Sequence, residues 1–140
     1  MSFAPYIAFS GDARAAMTEY ARIFGATDLQ LMSFAEAPPD QRPEGAEDLV
    51  MHAQFTAGQG APMTGCDVPP AYGAGGMGAS SVYHSAADTG EAARVFAALA
   101  EGGTVTMPLA ATFCSPAFGM LQDRFDTRWM ISVPPMEATP

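Results

Sequence analysis

The sequence contains no lysine: its six basic residues are all arginine, against 15 acidic ones, for a net charge of −9. Without lysine there is no Schiff-base nucleophile, no pyridoxal-phosphate anchor and no P-loop lysine. With a pI near 4.3 and no basic stripe, a phosphate backbone finds nothing to displace its counterions, which excludes nucleic acid as a partner. Two cysteines, Cys66 and Cys114, are too few for a disulfide scaffold and read as reduced thiols in a cytoplasmic protein. No apolar run approaches the length of a membrane span, so no membrane partner is expected. The N-terminal stretch MSFAPYIAFSGDAR lacks the basic start of a secretory signal. Leu, Ile, Val and Phe number only 24 of 140 residues, a poverty that, with high charge, marks disordered chains. Here alanine and ten methionines supply much of the apolar share, and they do so at periodic positions.

That periodicity defines the elements. Ala13, Ala16, Met17, Tyr20, Ile23 and Phe24 share one helical face, with Asp12 placed as N-cap and Gly25 as stop. Ala92, Val95, Phe96, Leu99 and Ala100 share another, opened by a capping box of Asp88 and Glu91 and ended by Gly102-Gly103. Strands are predicted over Phe3–Ser10, Thr27–Ala35, Asp48–Ala57, Ala61–Cys66, Gly78–Ala86, Thr104–Ala111, Phe118–Asp123 and Arg128–Val133. A shift of 76 residues lays Asp12 on Asp88, Ala16 on Ala92, Tyr20 on Phe96 and Ile23 on Leu99. The chain therefore reads as a duplication: a βαβββ module over about 3–67, a loop over 68–77 and a second module over about 78–134, in one α+β domain with a curved mixed sheet around a hollow. Strand alternation puts Met51, Ala53, Phe55, Val82, His84, Ala86, Trp129, Ile131 and Val133 under the helices. It puts Val50, His52, Gln54, Thr56, Ser81, Tyr83, Ser85, Arg128, Met130 and Ser132 toward the hollow.

The motifs PYIAFSGDARAAMTEYARIFGA, VMHAQF, ALAEGGTVTMPLAATF and FGMLQDRFDTRWMI occur in order. With the duplicated module, they resemble the vicinal oxygen chelate superfamily of glyoxalases, bleomycin-resistance proteins and extradiol dioxygenases. Within it they are similar to the PhnB-like branch, often labelled 3-demethylubiquinone-9 3-methyltransferase-like. The resemblance covers about residues 3–134. It implies a glyoxalase-like fold and a homodimer. It also implies that the four metal-ligand positions of metal-dependent relatives fall on Pro5, Gln54, Ser81 and Met130. Of these only Gln54 is a good donor, since a thioether is too soft for a hard divalent ion. No metal and no other cofactor is therefore expected. Two departures from the branch stand at Thr112-Phe113-Cys114, which places a thiol at the rim of the hollow, and at Asp126, in a turn position suited to glycine.

The candidate ligand contacts are His52, Gln54, Ser81, Tyr83, Arg128, Met130 and Cys114, with His52 the candidate general base. A hairpin turning about Gln59 pairs residues that sum to 118, which sets Cys66 opposite His52 and raises the alternative of an activated thiol. Asp67 and Asp123, at strand ends, read as turn formers. The run Gly73–Gly78 matches G-x-G-x-x-G but lacks the strand before and helix after it that a nucleotide site needs. The leading expectation is metal-free binding of a small apolar or aromatic compound. The alternatives are a metal-dependent or His52-dependent lyase or isomerase, and an interaction module with a filled hollow.

Overall fold

The computed structural model describes residues 4–57, 60–69, 80–112 and 115–134. The chain divides into two compact units, Met1–Met77 and Gly78–Pro140. The first contains β1 (Tyr6–Phe9), α1 (Ala13–Ile23), β2 (Gln30–Ser33), β3 (Val50–Phe55) and β4 (Met63–Asp67); the second contains β5 (Val82–Ser85), α2 (Thr89–Ala100), β6 (Thr104–Ala110), β7 (Phe118–Gln122) and β8 (Arg128–Ser132). Each unit forms a four-stranded sheet, in the orders β1-β4-β3-β2 and β5-β8-β7-β6. In each, the first strand pairs in parallel with the last and the other pairs are antiparallel. The same topology, twice, is the duplicated βαβββ module of an α+β fold. All eight predicted strands and both helices are present; the first five strands start two to four residues later than predicted, and β4 runs one residue further, to Asp67.

Each helix covers one face of its own sheet. α1 packs on β3 and β4, and α2 on β6, β7 and β8. The α1 stripe of Ala13, Ala16, Met17, Tyr20 and Ile23 is buried, as are Ala92, Val95, Phe96 and Leu99 of α2. From the sheets come Ile7, Phe9, Ala53 and Phe55 in the first unit and Val82, Leu121, Trp129 and Ile131 in the second. Burying one such large side chain contributes roughly 1.5–3 kcal/mol. His84 lies on the α2 side as expected: burial pushes its pKa below the usual imidazole value, with Glu91 of α2 opposing and Arg94 reinforcing the shift.

The helix ends differ in how they are held. Asp88 caps α2 by accepting from Glu91 N at 2.8 Å, and the Glu91 carboxylate returns to Ala87 N at 2.6 Å. Asp12 stands at the N-cap of α1, but its side chain makes no cap hydrogen bond. The cap comes instead from Asp67 at the end of β4. Its Oδ1 accepts from Gly11 N at 3.0 Å and Ala13 N at 2.9 Å, and its Oδ2 from Val50 N at 2.9 Å. A buried carboxylate (2% exposed) thus joins three chain segments, through an open donor at the start of α1, the amide of Gly11 before it and the first amide of β3. Asp123 is likewise buried and builds the β7–β8 turn: Oδ1 accepts from Phe125 N and Thr127 N, and Oδ2 from the Trp129 indole at 2.8 Å. In that turn Asp126 adopts φ +70°, the left-handed conformation that aspartate tolerates.

Two registers break strict alternation. Met32 pairs with His52 and Ser33 with Val50, so Met51 is an extra residue in β3. This bulge corrects the assignment of Val50 to the face of His52: Val50 is 1% exposed, buried like Ala53 and Phe55. In β6, Val105 pairs with Leu121, Met107 with Met120 and Ala110 with Phe118, so extra residues flank Met107 on both sides. Pro108 is accommodated there because β6 is the last strand of its sheet.

Candidate functional site

The register sets what the first sheet presents on the face turned away from α1. One row runs Tyr6, Thr64, Gln54, Gln30. In the next, Ala8 pairs with Cys66 and Met32 with His52. The β3–β4 pairs Ala53–Gly65, Gln54–Thr64 and Phe55–Met63 each sum to 118, and continuing them by one step sets His52 against Cys66.

The side chains of these rows form a connected polar chain. Tyr6 Oη lies 3.2 Å from His52 Nδ1, and His52 Nε2 lies 3.0 Å from Gln54 Oε1. The Tyr6 hydroxyl also neighbours the Cys66 thiol. The Tyr6 and His52 rings tilt at 40° with centroids 5.7 Å apart. Partial burial and the neighbouring Cys66 push the Tyr6 pKa up to about 12. Burial also pushes the Cys66 thiol up, the charge of Asp67 adds to this, and the Tyr6 hydroxyl opposes it. A thiol held protonated in this way is the reverse of an activated nucleophile. Tyr6 stands beside both Cys66 and His52 on this face. Apolar groups flank the chain: Tyr6 is 56% and Met32 45% exposed.

On the second sheet, the face turned away from α2 carries the row Tyr83, Met130, Met120, Met107. Beside it runs Arg128, Gln122, Thr104. Among the predicted contacts, then, His52 and Gln54 are bonded to each other, Tyr83 and Met130 are direct partners, and Arg128 is two residues from Met130 on the same strand. Ser81 is exposed just before β5. Cys114 and the Gly73–Gly78 run lie outside the described residues.

Sequence reasoning missed Tyr6. The resemblance pointed to Pro5, but β1 buries Ile7 and Phe9, so the residue it contributes to the polar face is Tyr6. The signal was available in the alternation of the strand, where Tyr6 and Ala8 oppose Ile7 and Phe9.

The four positions implied for a metal do not make a fitting donor set. The Pro5 carbonyl accepts from Thr64 N and Thr64 Oγ1, the oxygen of Gln54 is bonded to His52, and Met130 offers only a soft thioether. Among the described residues, no three His, Cys, Asp or Glu side chains stand together as a metal group, and no helix is long and apolar enough to cross a membrane.

Two four-stranded mixed sheets, each with one helix on one face, define the glyoxalase/bleomycin-resistance architecture. It is shared with a glyoxalase/bleomycin resistance protein from Albidiferax ferrireducens T118, at TM-score 0.65 and 13% identity over 96% of this chain and 99% of that one. The chain belongs to the 3-demethylubiquinone-9 3-methyltransferase family, which it matches over residues 1–132. It is 31% identical to Protein YjdN of Escherichia coli K12 over 99% of both chains. Among solved structures it is similar to protein PA1353 of Pseudomonas aeruginosa, at TM-score 0.87 and 36% identity over 96% of this chain and 98% of that one. It is also similar to a PhnB protein of Bacillus cereus assigned to the same family, at TM-score 0.72 and 27% identity over 95% and 99%.

Proposed function

We propose that the protein binds a small apolar or aromatic compound without a metal, and that Gln54, held in place by His52, provides its polar contact on the first sheet. The observation that carries this reading is that both ring nitrogens of His52 are committed within the protein, to Tyr6 and to Gln54. A general base needs a free nitrogen to take a substrate proton; a binding surface needs only a few fixed polar groups among apolar ones. Tyr6 and Met32, both about half exposed, supply the apolar part. Tyr83, Arg128, Met130 and Ser81 on the second unit are proposed contacts of the same kind, as is Cys114.

The proposal includes a homodimer in the cytoplasm. Its support is the unusual exposure of large apolar side chains, with Tyr83 at 57% and Met107 at 42% alongside Tyr6 and Met32. Such surface on an isolated chain favours a partner. Sedimentation at the dimer mass at micromolar concentration is the expected result.

Thermal unfolding tests the binding reading directly. A ligand at 100 times its Kd stabilises by about 2.7 kcal/mol. Small aromatic and aliphatic compounds are expected to raise Tm, and the rise is expected to survive chelator. A rise produced by Zn²⁺, Ni²⁺ or Mn²⁺ and abolished by chelator would overturn the reading in favour of a metal-dependent lyase or isomerase.

A further inference from the structure

The polar chain on the first sheet has a direction, and the direction selects the ligand. The Tyr6 hydroxyl has one proton and two neighbours, His52 Nδ1 and the Cys66 thiol. An imidazole nitrogen is a far better acceptor than a thiol sulfur, so Tyr6 donates to Nδ1. Its oxygen then accepts from the Cys66 S–H. With Nδ1 accepting, the neutral ring carries its proton on Nε2. The atom 3.0 Å from Nε2 is Gln54 Oε1, an oxygen that can only accept, so the geometry at the far end agrees with the chemistry at the near end. The chain runs Cys66 to Tyr6 to His52 to Gln54, and each donor along it is spent internally. What remains is the Gln54 amide nitrogen, for which no bond is found among the described residues. Gln54 is itself only half-buried, so its two N–H groups are available to a ligand on this face. The rows on this face contain no charged side chain: Tyr6, Thr64, Gln54 and Gln30, then Ala8, Cys66, His52 and Met32.

We infer that the ligand of the first sheet carries an uncharged hydrogen-bond acceptor, such as a ketone, aldehyde or amide carbonyl, joined to an apolar ring or chain, and that the Gln54 amide donates to it. This rests on the binding reading above and adds the acceptor to it. A carboxylate is disfavoured, because no cation stands in the rows and the chain already carries a net charge of −9.

Four probes of similar size separate the possibilities by thermal shift and calorimetry: acetophenone (acceptor only), indole (donor only), ethylbenzene (neither) and benzoate (anionic acceptor). Acetophenone is expected to bind about three- to tenfold more tightly than ethylbenzene or indole, the range for one neutral hydrogen bond, and benzoate no better than ethylbenzene. Gln54→Glu keeps an oxygen for His52 Nε2 and replaces the outward amide by an acceptor. It is expected to abolish the preference for acetophenone and to favour indole. Nitrogen-15 spectra of the His52 ring are expected to show the proton on Nε2. Equal binding of indole and acetophenone, or a proton on Nδ1, would overturn the inference and leave the binding reading standing. Failure of all four probes to bind, with the proton on Nε2, would count against the binding reading and leave the direction of the chain intact.

Discussion

The structure transfers the cap of α1 from Asp12, its neighbour in sequence, to Asp67, more than fifty residues away. Replacing Asp67 by alanine would strand Ala13 N and Val50 N, both buried, and Gly11 N, partly buried. A buried backbone donor left unsatisfied costs about 1–3 kcal/mol, and water entering the emptied space would relieve part of the sum. A loss of about 3–5 kcal/mol is therefore expected. For a chain of 140 residues the unfolding entropy makes 1 kcal/mol worth about 3–4 °C, so Tm should fall by roughly 10–17 °C. Asp67→Asn retains a single acceptor oxygen, which can serve the two donors of the helix start or Val50 N but not both sets, and should lie between. Asp12→Ala removes a side chain that makes no cap bond and should stay within about 0.5 kcal/mol. Urea unfolding of the three variants, followed by circular dichroism and checked by calorimetry, measures all of this on one scale. If Asp12→Ala and Asp67→Ala cost the same, or if Asp67→Ala costs under 1 kcal/mol, the assignment of the cap is wrong.

Three further outcomes are expected. Gly103→Ala should destabilise by at least about 2 kcal/mol in urea melts, because a Cβ there would stand 2.3 Å from Gln122 O and 2.8 Å from Asp123 Cα, both backbone atoms that cannot swing aside. Stability should decline as pH falls below 6.5, the ordinary histidine value, partly through His84. Burial lowers its folded pKa, so between the two values the unfolded chain holds a proton that the folded chain lacks, and His84→Gln should flatten that slope in melts taken across the range. Iodoacetamide at pH 8 should label native Cys66 more slowly than the unfolded chain, because burial pushes the thiol pKa up, read as site-resolved labelling by mass spectrometry.

What was legible in the sequence was what depends on local period and on repetition. The helices could be read because Ala13, Met17 and Tyr20 recur at helical spacing, and the duplication because Asp12 and Asp88 open matching segments. The hairpin register could be read because the buried alternation of β3 and β4 admits it and a one-residue slip would turn every side chain to the other face, and the pairs Ala53–Gly65, Gln54–Thr64 and Phe55–Met63 keep it. Three features were not legible. The bulge at Met51 depends on β2, which pairs there after a long intervening loop, so Val50 was assigned to the wrong face. The cap from Asp67 depends on the parallel pairing of β1 with β4, a contact between distant segments, and the nearer Asp12 satisfied the same local pattern. Tyr6 was passed over because the resemblance directed attention to Pro5, whereas simple alternation against the buried Ile7 and Phe9 placed Tyr6 beside His52.

The two register breaks in β6 bear on how the protein behaves in a crowded solution. A straight strand at a sheet margin offers a ladder of amides on which a foreign chain can grow, the first step toward fibres. Here the extra residues on either side of Met107 disrupt the spacing of that ladder, and Pro108 deletes one rung outright. A margin seven residues long, carrying Val105 and Met107 in the open, is thereby made a poor template, and Pro108→Val, by restoring the missing rung, should lower the concentration at which the protein clouds.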